Sequence, residues 1–216
     1  MAIKIAGDAV IDNSKNVVNV AGGTFSGKVT SQETSSSDSD TTLATKGYVD
    51  GKDAGKILQV KQTWVDTTSS QALTGSSRVN LTGLTLTITP LSSTSNMLIT
   101  VRWTGESTTT NFENNVFGIR RNGTDIGNPA SDGIRPAGMA CPSFGFWNDN
   151  ADTTPDNAVY QYLDTSRSSG TSAITYTASI MSIINQTLYN NRTRTDGNNL
   201  ESERLTSSII VMEVAS

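Results

Sequence analysis

Strand-like segments recur through most of this 216-residue chain, and they constrain its fold more than any other feature. In residues 79–89 the alternation becomes strict after Gly83. There Leu84, Leu86 and Ile88 alternate with threonines, which is the period of a strand with one buried face. The seven segments with strand patterns are residues 57–65, 79–89, 97–105, 115–121, 158–164, 173–184 and 205–214.

Composition agrees with these strands. Hydrophobic residues make up 35% of the chain and charged residues 17%, and Thr, Ser, Asn and Gly supply much of the rest. Thr favours strands, whereas Ser, Asn and Gly favour turns. The pair Asn122–Gly123 predicts a type I′ hairpin turn. We therefore predict a mainly β fold, with an antiparallel β-sandwich of the jelly-roll kind in residues 57–216.

The last strand segment, residues 205–214, is apolar on both faces. Glu213 is the one polar interruption between its two alternating rows. Such a strand lies centrally between two sheets or is buried against a neighbouring subunit. The apolar residues that we expect to take part in this sheet or subunit packing are Ile209, Ile210, Val211, Met212 and Val214.

Several kinds of chemistry are excluded by residue counts. The chain has no histidine, a single cysteine, Cys141, and a net charge of −4 without a basic cluster. Imidazole-based catalysis and imidazole metal sites are therefore absent, and no cationic patch suits nucleic acid. Neither a signal-peptide core nor a membrane-spanning apolar run is present, so we expect synthesis in a cytoplasm and no membrane insertion. We predict no catalytic residue, metal site or cofactor.

Two polar patterns fall short of a metal or catalytic site. Asn148, Asn150 and Asp152 have the opening spacing of a calcium loop, but the turn glycine and the closing glutamate are missing, so a polar loop is the better interpretation. A glycan hydrolase needs two converging carboxylates, and the sequence gives no reason for any two acids here to meet. The acids considered are Glu106, Glu113, Asp149, Asp152 and Asp164.

Two clusters combine an aromatic ring with amides and charges, a combination that suits the apolar and hydroxyl faces of a sugar. Phe144 and Phe146 lie beside the first cluster and are expected to be core residues. The candidate receptor contacts are Trp147, Asn148 and Asp149 in the first cluster and Tyr189, Asn191 and Arg192 in the second.

The N-terminal part divides into two regions. Residues 1–40 contain short β-like segments followed by an acidic, Ser-rich linker. They hold too few apolar residues to form a hydrophobic core of their own. In residues 41–56, glycines recur every fourth position, so this segment is either a flexible linker or a helix packed against identical copies. The residues of this candidate trimer joint are Leu43, Ala44, Gly47, Tyr48, Gly51 and Gly55.

Several short sequence motifs resemble motifs of tail-fibre and other virion appendage proteins of tailed bacteriophages. TTLATKGYVD at residues 41–50 is similar to a short helical joint of homotrimeric fibres, and VIDNSKN at residues 10–16 is similar to their N-terminal phrase. The resemblance to the C-terminal head of these proteins is carried by residues 93–106, FGIRRNGTDIG at 117–127, residues 160–166, TSAITYTASI at 171–180 and LTSSIIVMEVAS at 205–216.

This resemblance implies a homotrimer with a jelly-roll-like head, similar in architecture to tumour-necrosis-factor and complement C1q domains. Residues 1–40 would attach to other virion proteins, residues 41–56 would form a helical joint, and the head at 57–216 would contact a host-surface glycan or protein. The location implied is the virion, after synthesis in the host cytoplasm. Two alternatives stay open: a virion joint or decoration protein without a receptor role, and a polysaccharide-binding or depolymerising protein.

Overall fold

The chain forms two compact units, residues 1–52 and 53–216. In the first unit, strands β1 (Ile3–Ile5) and β2 (Asp8–Ile11) pair as an antiparallel hairpin, which agrees with the predicted β-like start of the chain. The residues that the computed structural model describes are 3–5, 8–11, 55–108, 115–130, 132–142 and 153–216.

The described part of the second unit consists of strands and their connections, without an α-helix, and each strand pair recorded there is antiparallel. The mainly β, antiparallel prediction is therefore confirmed. The strands are β3 (Ile57–Val65), β4 (Ser69–Leu73), β5 (Arg78–Ile88), β6 (Asn96–Ser107), β7 (Asn115–Arg121), β8 (Thr124–Ile126), β9 (Asp156–Asp164), β10 (Ile174–Ser182), β11 (Gln186–Asn190) and β12 (Ser207–Val214).

All seven segments with a strand pattern form strands, with bounds shifted by a few residues at most. Sequence reasoning missed β4 and β11. Both are short and mostly polar, and each buries few large apolar side chains, such as Leu73 in β4 and Leu188 in β11. A period-two pattern needs several apolar residues to be visible, so these strands gave no signal.

The described part of this unit contains two sheets. The large sheet has the order β3-β12-β6-β11-β4. Strands β12 and β11 pair with one edge of β6, and β9 pairs with its other edge. The small sheet has the order β5-β10-β7-β8. Their facing sides share one hydrophobic core, in which the rings of Trp103 from β6 and Phe117 from β7 lie 5.2 Å apart. The Tyr160 hydroxyl of β9 donates to the Gly118 carbonyl of β7 at 3.0 Å, which links the sheets directly.

Strand β5 shows how a glycine resets the alternation of a strand. Leu84, Leu86 and Ile88 are buried as predicted, but Leu81 is buried as well, three positions before Leu84. An odd spacing can bury both residues only if the strand contains an irregularity. Gly83 supplies it with a φ of +81°, and the pairing of β5 with β10 shifts register at this point.

The hairpin between β7 and β8 has the predicted turn. Asn122 and Gly123 have φ values of 49° and 85°, so both central residues are left-handed as a type I′ turn requires. The Asn122 side-chain oxygen also accepts a hydrogen bond from the Thr175 amide at 2.8 Å, which ties the turn to β10.

The predicted joint is corrected at its C-terminal end. Gly55 lies in a turn with a φ of +79°, and its amide donates to the Ala215 carbonyl at 2.9 Å. Gly55 therefore belongs to the β unit, and the prediction that it lines a helix is wrong. The unit begins at Asp53, a few residues before the predicted boundary at 57. The other joint residues lie outside the described residues: Leu43, Ala44, Gly47, Tyr48 and Gly51.

Candidate interaction surface

Strand β12 is central in the large sheet, between β3 and β6. Ile209 and Val211 are fully buried in the core shared with the small sheet. Ile210, Met212 and Val214 point to the other side, where they are only partly covered. The prediction of a strand that is apolar on both faces is therefore confirmed. Packing against the small sheet accounts for the inner row of β12 but not for the outer row.

The neighbouring strands continue the outward-facing row of β12. Met212 is in register with Val60 of β3 and Leu98 of β6, and Leu98 is in register with Leu163 of β9. These four side chains form an apolar row across four strands. We name the outer face of the large sheet by its apolar residues, which are Val60, Trp64, Leu98, Val159, Leu163, Ile210, Met212 and Val214.

Exposure on the outer face is high for side chains of this kind. Val60 and Trp64 are each 54% exposed, Val159 is 59% exposed and Leu163 is 45% exposed. Four strands about 4.8 Å apart and three rows of side chains cover about 400 Å². Polar or charged residues occupy five of these twelve positions, namely Gln62, Thr100, Gln161, Ser208 and Arg102. The apolar side chains are concentrated in the row of Val60, Met212, Leu98 and Leu163, and the largest apolar patch on a monomer is often an interaction site.

Charge is nearly absent from this surface. Among the outward-facing residues of β3, β12, β6 and β9 that are not buried, Arg102 carries the one charge, whereas Glu106, which has the same parity in β6, is buried. Its guanidinium lies 5.3 Å from the Trp64 ring centroid and donates to the Thr206 hydroxyl at 2.7 Å. The small side chain of Ser208, which is in register with both Trp64 and Arg102, leaves room for this contact. The outer face is thus suited to apolar contact and offers no group for acid–base chemistry.

Glu213 is the charged residue on the inner row of β12, which also carries the apolar Ile209 and Val211. Its side chain is fully buried, and burial by itself would raise the carboxyl pKa, but hydrogen bonds outweigh burial and lower the pKa to about 2. The ionised carboxylate therefore anchors the loop between β5 and β6 to the end of the sheet. The donors are the Ser95 hydroxyl at 2.5 Å, the Gln59 amide at 2.6 Å, and the backbone amides of Leu91 and Ser92 at 2.9 Å.

The second aromatic cluster is divided by the structure. Arg192 lies over the Tyr189 ring at 4.4 Å and also donates to the carbonyls of Thr193 and Arg194 at 3.0 Å. Tyr189 and Arg192 are therefore held together at the end of β11. Asn191 is fully buried, so its prediction as a receptor contact is wrong.

Asn191 instead holds three segments together. Its side-chain amide donates to the carbonyls of Val65 and Thr67 at 3.0 Å, and its side-chain oxygen accepts from the Ser207 hydroxyl at 2.6 Å. A positive φ of 59°, which asparagine tolerates better than most residues, turns the side chain inward. The first cluster, Trp147, Asn148 and Asp149, lies outside the described residues.

Two of the candidate catalytic acids, Asp164 and Glu106, have structural partners, and the other three, Glu113, Asp149 and Asp152, lie outside the described residues. Asp164 is fully buried and pairs with Arg121, with Nη1 to oxygen distances of 2.8 and 2.9 Å. Glu106 is buried and accepts from the Arg194 amide at 2.7 Å. Within the described residues, no group of three or more His, Cys, Asp or Glu could hold a metal ion, and no helix is long and apolar enough to cross a membrane.

Most of the outer face was missed by sequence reasoning. It named Ile210, Met212 and Val214 but none of the residues that β3 and β9 contribute. The available signal was the alternation in these strands, for example Val159 and Leu163 in β9. That signal shows which residues share a face, whereas the assembly of the patch depends on which strands pair.

Comparison of the chain with protein-family models and with curated proteins gives no significant match. The interpretation of the outer face therefore depends on its own residues. These residues form one fully apolar row beside a row in which Gln62, Thr100 and Gln161 flank Ile210.

Proposed function

We propose that this protein is a structural component of a bacteriophage virion: a homotrimeric tail fibre or appendage that attaches by its N-terminal region and displays a β head towards the host. The virion assignment is supported by the phrases at residues 10–16, 41–50 and 205–216. The trimer is supported by the outer face, which is the observation that carries the proposal. No catalytic activity is part of this function.

The head is proposed to be a jelly-roll-like sandwich, similar to tumour-necrosis-factor and complement C1q domains. Two antiparallel sheets with one common core support this finer description. In such a head, one sheet can face its neighbours around an axis while the other faces solvent. The large sheet is the better candidate for the inner position because its outer face is apolar.

Self-association accounts for the outer face more simply than a foreign partner does. Only 35% of the chain is hydrophobic, yet eight apolar side chains gather on one side of one sheet. Identical copies around a symmetry axis would cover every such patch with one type of contact. Stable interfaces bury about 800 Å² per partner, so this face of about 400 Å², its polar residues included, would form the centre of the contact.

The two ends of the large sheet have different roles in this proposal. Gly55 and Ala215 lie at the end where the chain enters the β unit. Asp156 and Asn190 are both in register with Gly105, which lies towards the opposite end of β6. Tyr189 and Arg192, at this far end, are the proposed host contacts among the described residues.

The trimer is tested by sedimentation equilibrium at micromolar concentration. The expected mass is three times the 22.9 kDa of one chain. Met212→Lys places a charge at the centre of the outer face and should give a folded monomer with an unchanged circular dichroism spectrum. The matched control is Leu91→Lys, because Leu91 is 66% exposed on a loop away from this face and should stay trimeric. A wild-type monomer would contradict the proposal.

The second candidate is a virion joint or decoration protein without a receptor role. One observation favours it: Asn191 is buried, and Arg192 is engaged with Tyr189 and two carbonyls, so part of the expected contact surface is structural. Virions carrying Tyr189→Ala or Trp147→Ala distinguish the two candidates. Slower adsorption to host cells supports host contact, whereas adsorption equal to that of the Leu91→Lys control supports the second candidate.

A further inference from the structure

A small polar cleft lies at one end of the small sheet, between the β7–β8 turn and the connection from β9 to β10. Its volume is about 160 Å³. Two guanidinium groups and several hydroxyl groups line it, and all of them belong to one chain. The lining residues used below are Arg121, Arg167, Ser168, Ser169, Ser172 and Ala173.

Arg121 is held in position by a buried acid. Its Nη1 atom lies 2.8 and 2.9 Å from the two carboxylate oxygens of Asp164, which is fully buried and also accepts from the Tyr176 hydroxyl at 2.8 Å. Burial, together with this hydrogen bond, raises the pKa of Tyr176, so the hydroxyl stays protonated and donates. Within the described residues no acceptor is recorded for Nε or Nη2 of Arg121. The Nε–Nη2 edge of its guanidinium group is therefore open to a ligand.

Arg167 has a different role in the same cleft. Its nitrogens donate to the carbonyls of Ser92 at 2.7 Å, Ser168 at 3.2 Å and Gly170 at 3.0 Å, and to both oxygens of Ser95. These bonds fasten the loop after β9 to the loop before β6. Arg167 thus gives the cleft a rigid wall and a positive charge, while Arg121 supplies the open donor edge.

We propose that this cleft binds an acidic sugar residue, with the sugar carboxylate on the Nε and Nη2 edge of Arg121. The planar fork of arginine matches the two oxygens of a carboxylate. The hydroxyls of Ser168, Ser169 and Ser172 both donate and accept hydrogen bonds, as a ring with several hydroxyl groups requires. Arg121, Arg167 and Asp164 together leave one net positive charge, which favours an anion. The volume is below the range of about 300–1,000 Å³ that is usual for ligand sites and suits a single sugar ring.

This site is independent of the trimer and of the host contact proposed above. Asp164, which holds Arg121, is in register with Met97 near the start of β6, whereas Tyr189 lies near the other end of that strand. The cleft therefore lies at the opposite end from the aromatic cluster, and it needs no residue from a second copy.

Saturation-transfer NMR with the full chain tests the proposal, with glucuronate as the probe and glucose and acetate as comparison ligands. Glucuronate is expected to bind with a millimolar Kd, and the two others at least tenfold more weakly. Glucose lacks the carboxylate, and acetate lacks the hydroxyls. Equal binding of acetate would overturn the assignment to a sugar, and equal binding of glucose would overturn the role of the guanidinium.

Two variants test the site itself. Arg121→Lys keeps an ion pair with Asp164 but removes the forked edge, so glucuronate binding should fall at least tenfold while the fold is kept. Ala173→Phe fills the cleft without touching the ion pair and should have a similar effect. Arg135→Lys, at a side chain that is 78% exposed outside the cleft, is the matched control. Wild-type affinity in both cleft variants would overturn the proposal.

Discussion

The two faces of the large sheet carry similar side chains in very different surroundings. On the inner face, Val101, Trp103 and Val211 are fully buried against the small sheet. On the outer face, Trp64 and Val60 remain more than half exposed. The inner face has its partner within the same chain, whereas the outer face has none among the described residues. The proposed trimer would account for this difference, because other copies would cover the outer face.

Charge sharpens this contrast in an unexpected direction. The inner row of β12 contains the acid Glu213, and the outer row contains no charged residue. A buried carboxylate is tolerated only where donors surround it, and Glu213 has four of them. On the outer face, a charge would remain solvated in a monomer but would be trapped in an assembly. The absence of acids there is what an interface centre requires.

The largest expected effect is the loss of the inner-face tryptophan. Trp103→Ala removes a fully buried ring that packs against Phe117, and it leaves Asn190 without the indole donor at 2.7 Å. Substitutions of this kind cost about 3–5 kcal/mol. Urea unfolding followed by circular dichroism measures the change. A loss below about 1 kcal/mol would contradict the picture of a tightly packed inner face.

The next effect in size concerns Glu213 and acid. Its pKa is lowered from 4.5 to about 2, so its contribution to stability is complete above pH 4.5 and is lost as the pH falls towards 2. The shift corresponds to about 3 kcal/mol between these limits. In Glu213→Gln this part of the pH dependence should disappear, and the variant should be less stable than wild type at pH 7. Urea unfolding of both proteins at pH 7, 4 and 2.5 tests this, and parallel pH profiles would refute it.

Sequence patterns predicted the parts of the fold that depend on neighbours along the chain. The alternation in β5 and β6 identified Leu84, Leu86 and Ile88 and the row from Met97 to Trp103 because one face of each strand is apolar. The turn at Asn122–Gly123 was predicted for the same reason: its conformation is a local property of two residues.

The features that failed or were missed depend on distant contacts. Asn191 was predicted to be a surface residue, but its side-chain amide group forms hydrogen bonds with Val65, Thr67 and Ser207. Glu213 was a mere interruption in the sequence because its donors lie about 120–150 residues away along the chain. The outer face likewise combines strands from four parts of the sequence, and no local pattern shows that they are adjacent.

The smallest expected effect on folding is also the sharpest test of the contrast between the two faces. Trp64→Ala removes the same kind of side chain as Trp103→Ala, but from the outer face, where the ring is 54% exposed and contacts Arg102. In the Met212→Lys background, which we expect to be monomeric, it should lower the free energy of unfolding by about 1–2 kcal/mol, clearly less than Trp103→Ala does, because about half of the Trp64 side chain is already exposed. In the otherwise wild-type chain, it should weaken assembly at least tenfold by sedimentation. A large loss of stability in the monomer would assign Trp64 to the core, and unchanged assembly would remove it from the interface. Either result would contradict the distinction between an inner face that packs on the small sheet of the same chain and an outer face that we propose to contact other copies.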